Sequence, residues 1–475
     1  MRDPVVWIAL FLALVLRVGL LLLYPYAPGT GDESLHYVMA VLVTELGHGV
    51  IGHWGPGYEA FLASIFRIAG PDPFAAKFVQ VLVSTASVAM VWAIAARAGG
   101  VRAGRIAAFL AALYPSLVAY ATYLFSETLF LFLLLAGMTL LFGLRGERTK
   151  LRCIGAGIFF GLATLTRSLV FYFLPVWIVW ALLRGRRREA AEAGIILLTV
   201  LAMLLPWTAR NYLRYDGLLL VDGTVAQTSY IAFSEVLFST DLGFDNWRKQ
   251  LPRSRPRCPF EPVPDLEPLP PVAETARLFP SPERSVLGSR STLRSRLLEV
   301  NRLATLDFPR MQSCETSRAL RFAIENPGIV VSQMLRRFYA FWGPNSFLLR
   351  SVAYGVYQGG PLQRDAYAWL KWLVVASYLF VMVPALLAAS RVGARGAPPV
   401  LEWSALFCIF YLGIHVVAVS YSRYRLPIMP IAIVFSSLWL ASPHLSRGRV
   451  RAGLSLGLVA GFLWLSAHYV TTGLP

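Results

Sequence analysis

About eleven apolar stretches recur along this chain, near 4–24, 74–96, 104–121, 124–142, 151–166, 168–183, 189–207, 367–389, 400–419, 424–441 and 451–470. Each is at or near the roughly 20 residues that a helix needs to cross a bilayer. Backbone in lipid must satisfy its own hydrogen bonds, which a helix does within one segment. The pattern therefore predicts an all-α polytopic membrane protein with about 11 transmembrane helices. The pairs 104–142 and 151–183 read as hairpins with almost no outer loop. Thirteen Trp, 20 Tyr and 29 Phe suit aromatic belts at two interfaces, and 15% charged residues is low for a soluble chain. The first stretch is longer than a signal core and no small-residue cleavage site follows it cleanly, so it is expected to be a retained first span.

The basic residues order these spans. The net charge is +18, almost all of it Arg, because Lys occurs only at Lys77, Lys150, Lys249 and Lys371. Short loops carry Arg97, Arg102 and Arg105; Arg145, Arg148, Lys150 and Arg152; Arg184, Arg186, Arg187 and Arg188; Arg391 and Arg395; and Arg447, Arg449 and Arg451. Short basic loops face the cytoplasm, which puts the N-terminus inside and the C-terminus outside. Lipid headgroups and topology account for the positive charge, so no nucleic-acid partner is expected. Three units follow. Residues 1–207 form an N-terminal transmembrane module with a first external loop at 25–73. Residues 208–366 form an external domain of short helices and loops capping the membrane. Residues 367–475 form C-terminal transmembrane helices. The stretch 252–290 is rich in Pro, Arg and Ser and is expected to be disordered in part, or ordered only by substrate. Residues 327–343 are amphipathic enough to lie in the interface. Cys153 and Cys408 read as packing residues, whereas Cys258 and Cys314 would pair if their loop faces an oxidising compartment.

The first external loop opens with Gly31-Asp32-Glu33-Ser34-Leu35-His36-Tyr37. Asp32 and His36 are spaced to share one helix face. The acidic pair Asp32 and Glu33 is the candidate catalytic group: Asp32 as a base, and Glu33 beside it as a cap or support. Both also suit the N-terminus of a helix beginning at Ser34. Several arginines depart from the cytoplasmic pattern, namely Arg17 within the first span, Arg167, Arg210, Arg423 and Arg425. Arg presents a planar fork that matches phosphate oxygens, so Arg425, Arg423, Arg167 and Arg210, with His53, are the candidate phosphate-binding residues. Arg17 and Arg210 equally suit snorkelling to headgroups. Glu127, His36, Tyr424 and Arg17 are candidate supporting residues. His53 is the best candidate for a divalent metal, though a solvated loop histidine fits as well. His415, inside an apolar span, reads as a packed histidine. No Gly-rich loop is present to cradle a nucleotide.

The order of these motifs resembles the GT-C superfamily of membrane glycosyltransferases, most of all the protein O-mannosyltransferase and aminoarabinose transferase-like (glycosyltransferase family 39-like) branch. Asp32-Glu33 follows the first span. His53-Trp54-Gly55-Pro56 resembles the histidine-proline motif closing that loop, with Trp54 and Gly55 inserted. Ser126-Glu127-Thr128, Leu165-Thr166-Arg167, Pro206-Trp207-Thr208-Ala209-Arg210 and Arg423-Tyr424-Arg425-Leu426-Pro427 follow in order. The resemblance covers about 1–235 well and 320–430 loosely. It implies a polyprenyl-phosphate-linked sugar as donor substrate, a lipid, glycan or protein hydroxyl as acceptor, and inversion at the anomeric carbon. It also implies a bacterial inner membrane with the active site facing outward. Two other readings share the arginines: a flippase for lipid-linked saccharides, and a polymerase or ligase using a lipid-pyrophosphate donor.

Overall fold

The computed structural model describes residues 3–25, 31–47, 52–144, 146, 148–224, 270–279, 287–344, 346–357, 361–362, 364–394, 396–418, 420, 422–443 and 449–472. Among them regular structure is helical throughout. The principal helices are α1 (Pro4–Leu23), α2 (Gly31–Leu46), α3 (Pro56–Ala69), α4 (Pro73–Leu113), α5 (Pro115–Tyr120), α6 (Ser126–Met138), α7 (Lys150–Thr166), α8 (Leu169–Leu183) and α9 (Arg187–Tyr215). After a stretch outside the described residues come α10 (Arg290–Ala304), α11 (Phe308–Glu325), α12 (Pro327–Trp342), α13 (Phe347–Ala353), α14 (Tyr367–Ala388), α15 (Pro399–Val417), α16 (Met429–Ala441) and α17 (Arg449–Thr472).

Seven helices among the described residues are long and apolar enough to cross a membrane, and α8 and part of α17 are shorter apolar helices. The chain is a multi-pass membrane protein, although length and composition do not recover all eleven expected spans. One of the seven holds two of them. Within α4 the backbone departs from helix at Gly100 (φ 83°, ψ 175°), a left-handed geometry that glycine adopts without a Cβ penalty. A Cβ placed on Gly104 would lie 2.6 Å from the Ala96 Cβ. The chain therefore doubles back at Gly100, and its two arms match the expected spans 74–96 and 104–121. The second is shorter than expected. It stops at Leu113 because Pro115 follows, and proline disfavours helix in the residue before it.

Arg17 is the charge buried in the first span, and its exposure is 0%. Its Nε donates to the Ser84 hydroxyl at 2.9 Å, on the first arm of α4. Its terminal nitrogens donate to the carbonyls of Ala111 and Ala112 on the second arm, at 3.3 and 3.2 Å. Those carbonyls lie in the last turn of a helix, where no intrahelical partner is available. Arg17 thus ties α1 to both arms of the hairpin rather than reaching headgroups or the acidic motif. Arg17→Met is expected to cost about 3 kcal/mol, since buried acceptors left unpaired are expensive. A thermal melt in detergent checks this, and an unchanged midpoint would sink it.

The basic loops gather at one end of the bundle. Arg105 pairs with Asp3 at 2.8 Å, Arg148 with Glu192 at 2.9 Å and Arg186 with Glu402 at 2.7 Å, while Arg391 donates to the Leu438 carbonyl at 3.1 Å. In the 208–366 unit, α10 lies against α2, and Arg337 of α12 donates to the Val417 carbonyl of α15 at 2.7 Å. Leu335 and Phe338 of α12 are exposed, in keeping with an amphipathic helix. Of 252–290, residues 270–279 and 287–290 are described. Cys314 is in a disulfide; Cys258, its expected partner, lies outside the described residues. Cys153 and Cys408 are free.

Candidate functional site

Asp32 and Glu33 open α2, and being adjacent on a helix they point in different directions. Glu33 turns inward. Its Oε1 accepts from the Leu124 amide at 2.9 Å and stands 3.5 Å from the Lys77 ammonium. It is buried, capping no helix of its own and facing away from Asp32's partners; it ties α2 to the 121–125 turn. Asp32 keeps 30% of its side chain exposed and meets Arg423 at 2.7 Å.

Arg423 comes from the tight 3₁₀ turn Ser422–Ile428 that leads into α16. It bridges two carboxylates, with Nε 3.1 Å from Glu127 Oε1. Arg167, just past the end of α7, reaches the same oxygen at 2.9 Å and also donates to the Ser126 hydroxyl at 3.3 Å. Asp32, Arg423, Glu127 and Arg167 are therefore one continuous row of alternating charge, supplied by four separate parts of the chain. Aromatic faces hold the cations in place: Arg423 lies 4.9 Å over Phe125, and Arg167 lies 5.7 Å over Tyr424. Tyr424 stacks at 4.8 Å on His415, which is buried as expected. Burial pushes the Asp32 carboxyl up, but the Arg423 guanidinium outweighs it and holds the group below its ordinary value, hence ionised.

The turn carrying His53 is pressed against this row. A Cβ on Gly55 would lie 2.2 Å from the Leu165 carbonyl oxygen, and one on Gly57 2.7 Å from the Thr166 hydroxyl. The glycines let the turn meet the end of α7 immediately before Arg167. The Gly52 carbonyl accepts from the Gly223 amide at 2.7 Å, so the stretch after α9 braces the other side. Burial lowers His53 to about 4, so it is a neutral imidazole at neutral pH and gives no cation to a phosphate. Between pH 6.5 and about 4 the unfolded chain binds a proton that folded His53 refuses, so stability falls as pH drops through that window. His53→Gln is expected to flatten the fall in melting temperature between pH 7 and pH 5, and a fall of wild-type size would refute this. Among the described residues, no group of three His, Cys, Asp or Glu is placed to hold a metal ion.

Other candidates stand apart from the row. Arg425 is buried, donates to the Phe341 carbonyl at 2.9 Å and to the Gly343 carbonyl, and lies 4.0 Å over the Tyr378 ring. It fastens the end of α12 to α14, which corrects its expected place beside Arg423. Residues two apart in a tight turn point to different neighbours, and the Arg-Tyr-Arg spacing could not tell which arginine faces the acids. Arg210 lies over Trp207 at 4.6 Å and donates to Asn211 at 3.0 Å, so neither it nor Arg17 joins the row.

Three residues near the row carried no signal in the sequence. Glu59 of α3, buried, binds His36 Nδ1 at 2.8 Å. Arg296 of α10 donates to the Ser34 hydroxyl at 2.9 Å beside the start of α2. Asp222, whose carboxyl burial pushes up, accepts from the Thr224 amide at 3.1 Å and lies within electrostatic reach of Arg167. Glu59 and Arg296 are distant in sequence from what they touch.

Residues 53–209 match the family model described as dolichyl-phosphate-mannose-protein mannosyltransferase. No curated protein matches the chain. Among solved structures, the oligosaccharyltransferase of Archaeoglobus fulgidus in complex with Zn and sulfate is 13% identical, over 97% of this chain and 52% of its own, with a TM-score of 0.49. ArnT from Cupriavidus metallidurans in the apo state is 12% identical, over 92% of this chain and 76% of its own, with a TM-score of 0.40. The chain spans about half the length of the oligosaccharyltransferase. The matched stretch 53–209, less than half of the chain, runs from the His53 turn through Glu127 and Arg167 into α9, and over it the chain is similar to the dolichyl-phosphate-mannose-protein mannosyltransferases.

Proposed function

We propose that this chain transfers a sugar from a polyprenyl-phosphate donor to an acceptor hydroxyl, with inversion, at the end of the bundle opposite the basic loops. In a bacterial inner membrane that end faces outward. The observation that carries the reading is the row Asp32–Arg423–Glu127–Arg167, in which a partly exposed carboxylate and two guanidiniums meet. An acceptor hydroxyl is a weak nucleophile and needs a base, and Asp32 is ionised and accessible for that role. The leaving phosphate needs cations as its charge develops but no proton at neutral pH, and Arg423 and Arg167 supply them. Glu127 is the counter-ion that holds both arginines in place before substrate arrives.

The shared arginine gives the site an order of events. While Arg423 is paired with Asp32, the carboxylate is stabilised and a poor base. A donor phosphate that draws Arg423 toward itself leaves Asp32 with burial as the dominant influence, which raises its affinity for a proton. Base strength thus rises when donor is present. Glu33, committed to Lys77 and the Leu124 amide, fixes the turn that carries Asp32.

The test incubates membranes containing the chain with a panel of radiolabelled polyprenyl-phosphate sugars and follows label into lipid, glycan and protein fractions. Transfer that needs a lipid-phosphate donor supports the reading. Movement of labelled lipid between leaflets with no transfer to any acceptor would replace it with a transport role.

A further inference from the structure

We propose that His36, held by Glu59, receives the proton that Asp32 takes from the acceptor, with Glu59 as the residue that positions it. The proposal rests on Asp32 as base. His36 lies one helical turn beyond Asp32 on the same face of α2. Its Nδ1 is 2.8 Å from Glu59 Oε1, and its ring is fixed by Trp54 at 4.1 Å and by the edge of Tyr58 at 4.9 Å. Glu59 is fully buried, and its second oxygen has no hydrogen-bond partner among the described residues. The buried carboxylate holds the ring by Nδ1 and leaves Nε2 as the nitrogen not bound to Glu59. The charged and titratable groups around the ring are Asp32 and Glu33 on its own helix, Glu59 and Tyr58 on α3, and His53 in the adjoining turn. Glu33 is offset by Lys77, and His53 is neutral at neutral pH. Glu59 and Asp32 therefore dominate.

The steps balance. The acceptor O–H bond breaks and its proton moves to Asp32. The acceptor oxygen's electron pair forms the bond to the anomeric carbon, as the bond from that carbon to the phosphate breaks and its pair leaves with the phosphate. The proton then passes from Asp32 to His36 Nε2, the ring nitrogen not bound to Glu59, directly or through one water. Asp32 is again ionised beside Arg423, and the imidazolium donates from Nδ1 to Glu59 until it releases the proton to solvent.

Nuclear magnetic resonance of the full chain, labelled with ¹⁵N-histidine in detergent micelles, tests this without a sugar donor; loss of the signal in His36→Asn assigns it. Glu59→Gln is expected to move the ¹⁵N signals of the His36 ring, because the partner of Nδ1 at 2.8 Å changes, and Asp32→Asn to move them by a smaller amount. His36 signals unmoved by Asp32→Asn would overturn the relay. With the donor found in the membrane panel, His36→Asn, whose amide can keep the Glu59 bond, is expected to slow turnover about 10²-fold with KM within about twofold. Wild-type turnover in His36→Asn with an inert Asp32→Asn would overturn the relay and leave the base assignment standing. Turnover in Asp32→Asn would remove the base assignment instead.

Discussion

Asp32→Asn is expected to lower sugar transfer by about 10³-fold or more, at the upper end of what a positioned general base supplies. Asparagine keeps an oxygen for Arg423 and nearly the same volume, so the helix start and the cap above it have little reason to move. The Asp32–Arg423 pair is partly exposed at both partners, and pairs of that kind contribute little to stability. Insertion in the membrane and the detergent melting point should therefore stay close to wild type. Binding of undecaprenyl phosphate, measured in detergent, should hold or rise, because Arg423 is freer to meet the phosphate. Transfer at wild-type rates would remove Asp32 as base. Loss of transfer together with a large drop in melting temperature would mean that its role is structural.

Arg423→Lys carries the second-largest expected effect. Arg423 reaches Asp32 with one nitrogen and Glu127 with another. A lysine ammonium is a single point of charge and cannot hold that fork. Transfer is expected to fall about 10²- to 10³-fold, the loss seen when one preorganised donor is taken from a developing anion, and affinity for undecaprenyl phosphate about tenfold. Arg425→Lys supplies the contrast. Arg425 is spent on the Phe341 and Gly343 carbonyls and the Tyr378 ring, so its substitution should lower the melting temperature and leave affinity for undecaprenyl phosphate unchanged. Equal loss of phosphate affinity in both variants would place Arg425 in the site after all.

Much of this architecture was legible before any coordinates. Hydropathy located the helices, because a segment in lipid has few alternatives to a helix, and charge in the short loops sorted the two ends of the bundle. It also singled out Asp32, Glu127, Arg167 and Arg423, which the fold brings into one row. What escaped was direction at fine scale. Glu33 is next to Asp32 yet faces the interior, and Arg425 is two residues from Arg423 yet faces another helix. A helix rotates each successive residue by about 100 degrees, so neighbours in sequence need not be neighbours in space. Glu59 and Arg296 could not be found at all, because their partners, His36 and Ser34, lie on other elements. The halt of α4 at Leu113 was readable from Pro115 and was overridden by the apolar run that continues past it.

The row of charges also has a history in the making of the protein. Asp32 and Glu127 are synthesised early, whereas Arg423 follows Glu127 only after the whole of α7 to α15. Until then Glu127 has Arg167 alone, and Asp32 waits beside the bilayer without its cation. A nascent chain halted before this turn would lack the cation that joins Asp32 to Glu127. A chain truncated just before Ser422 should enter the membrane without the Asp32–Arg423 pair, and on the proposed reading it should transfer no sugar.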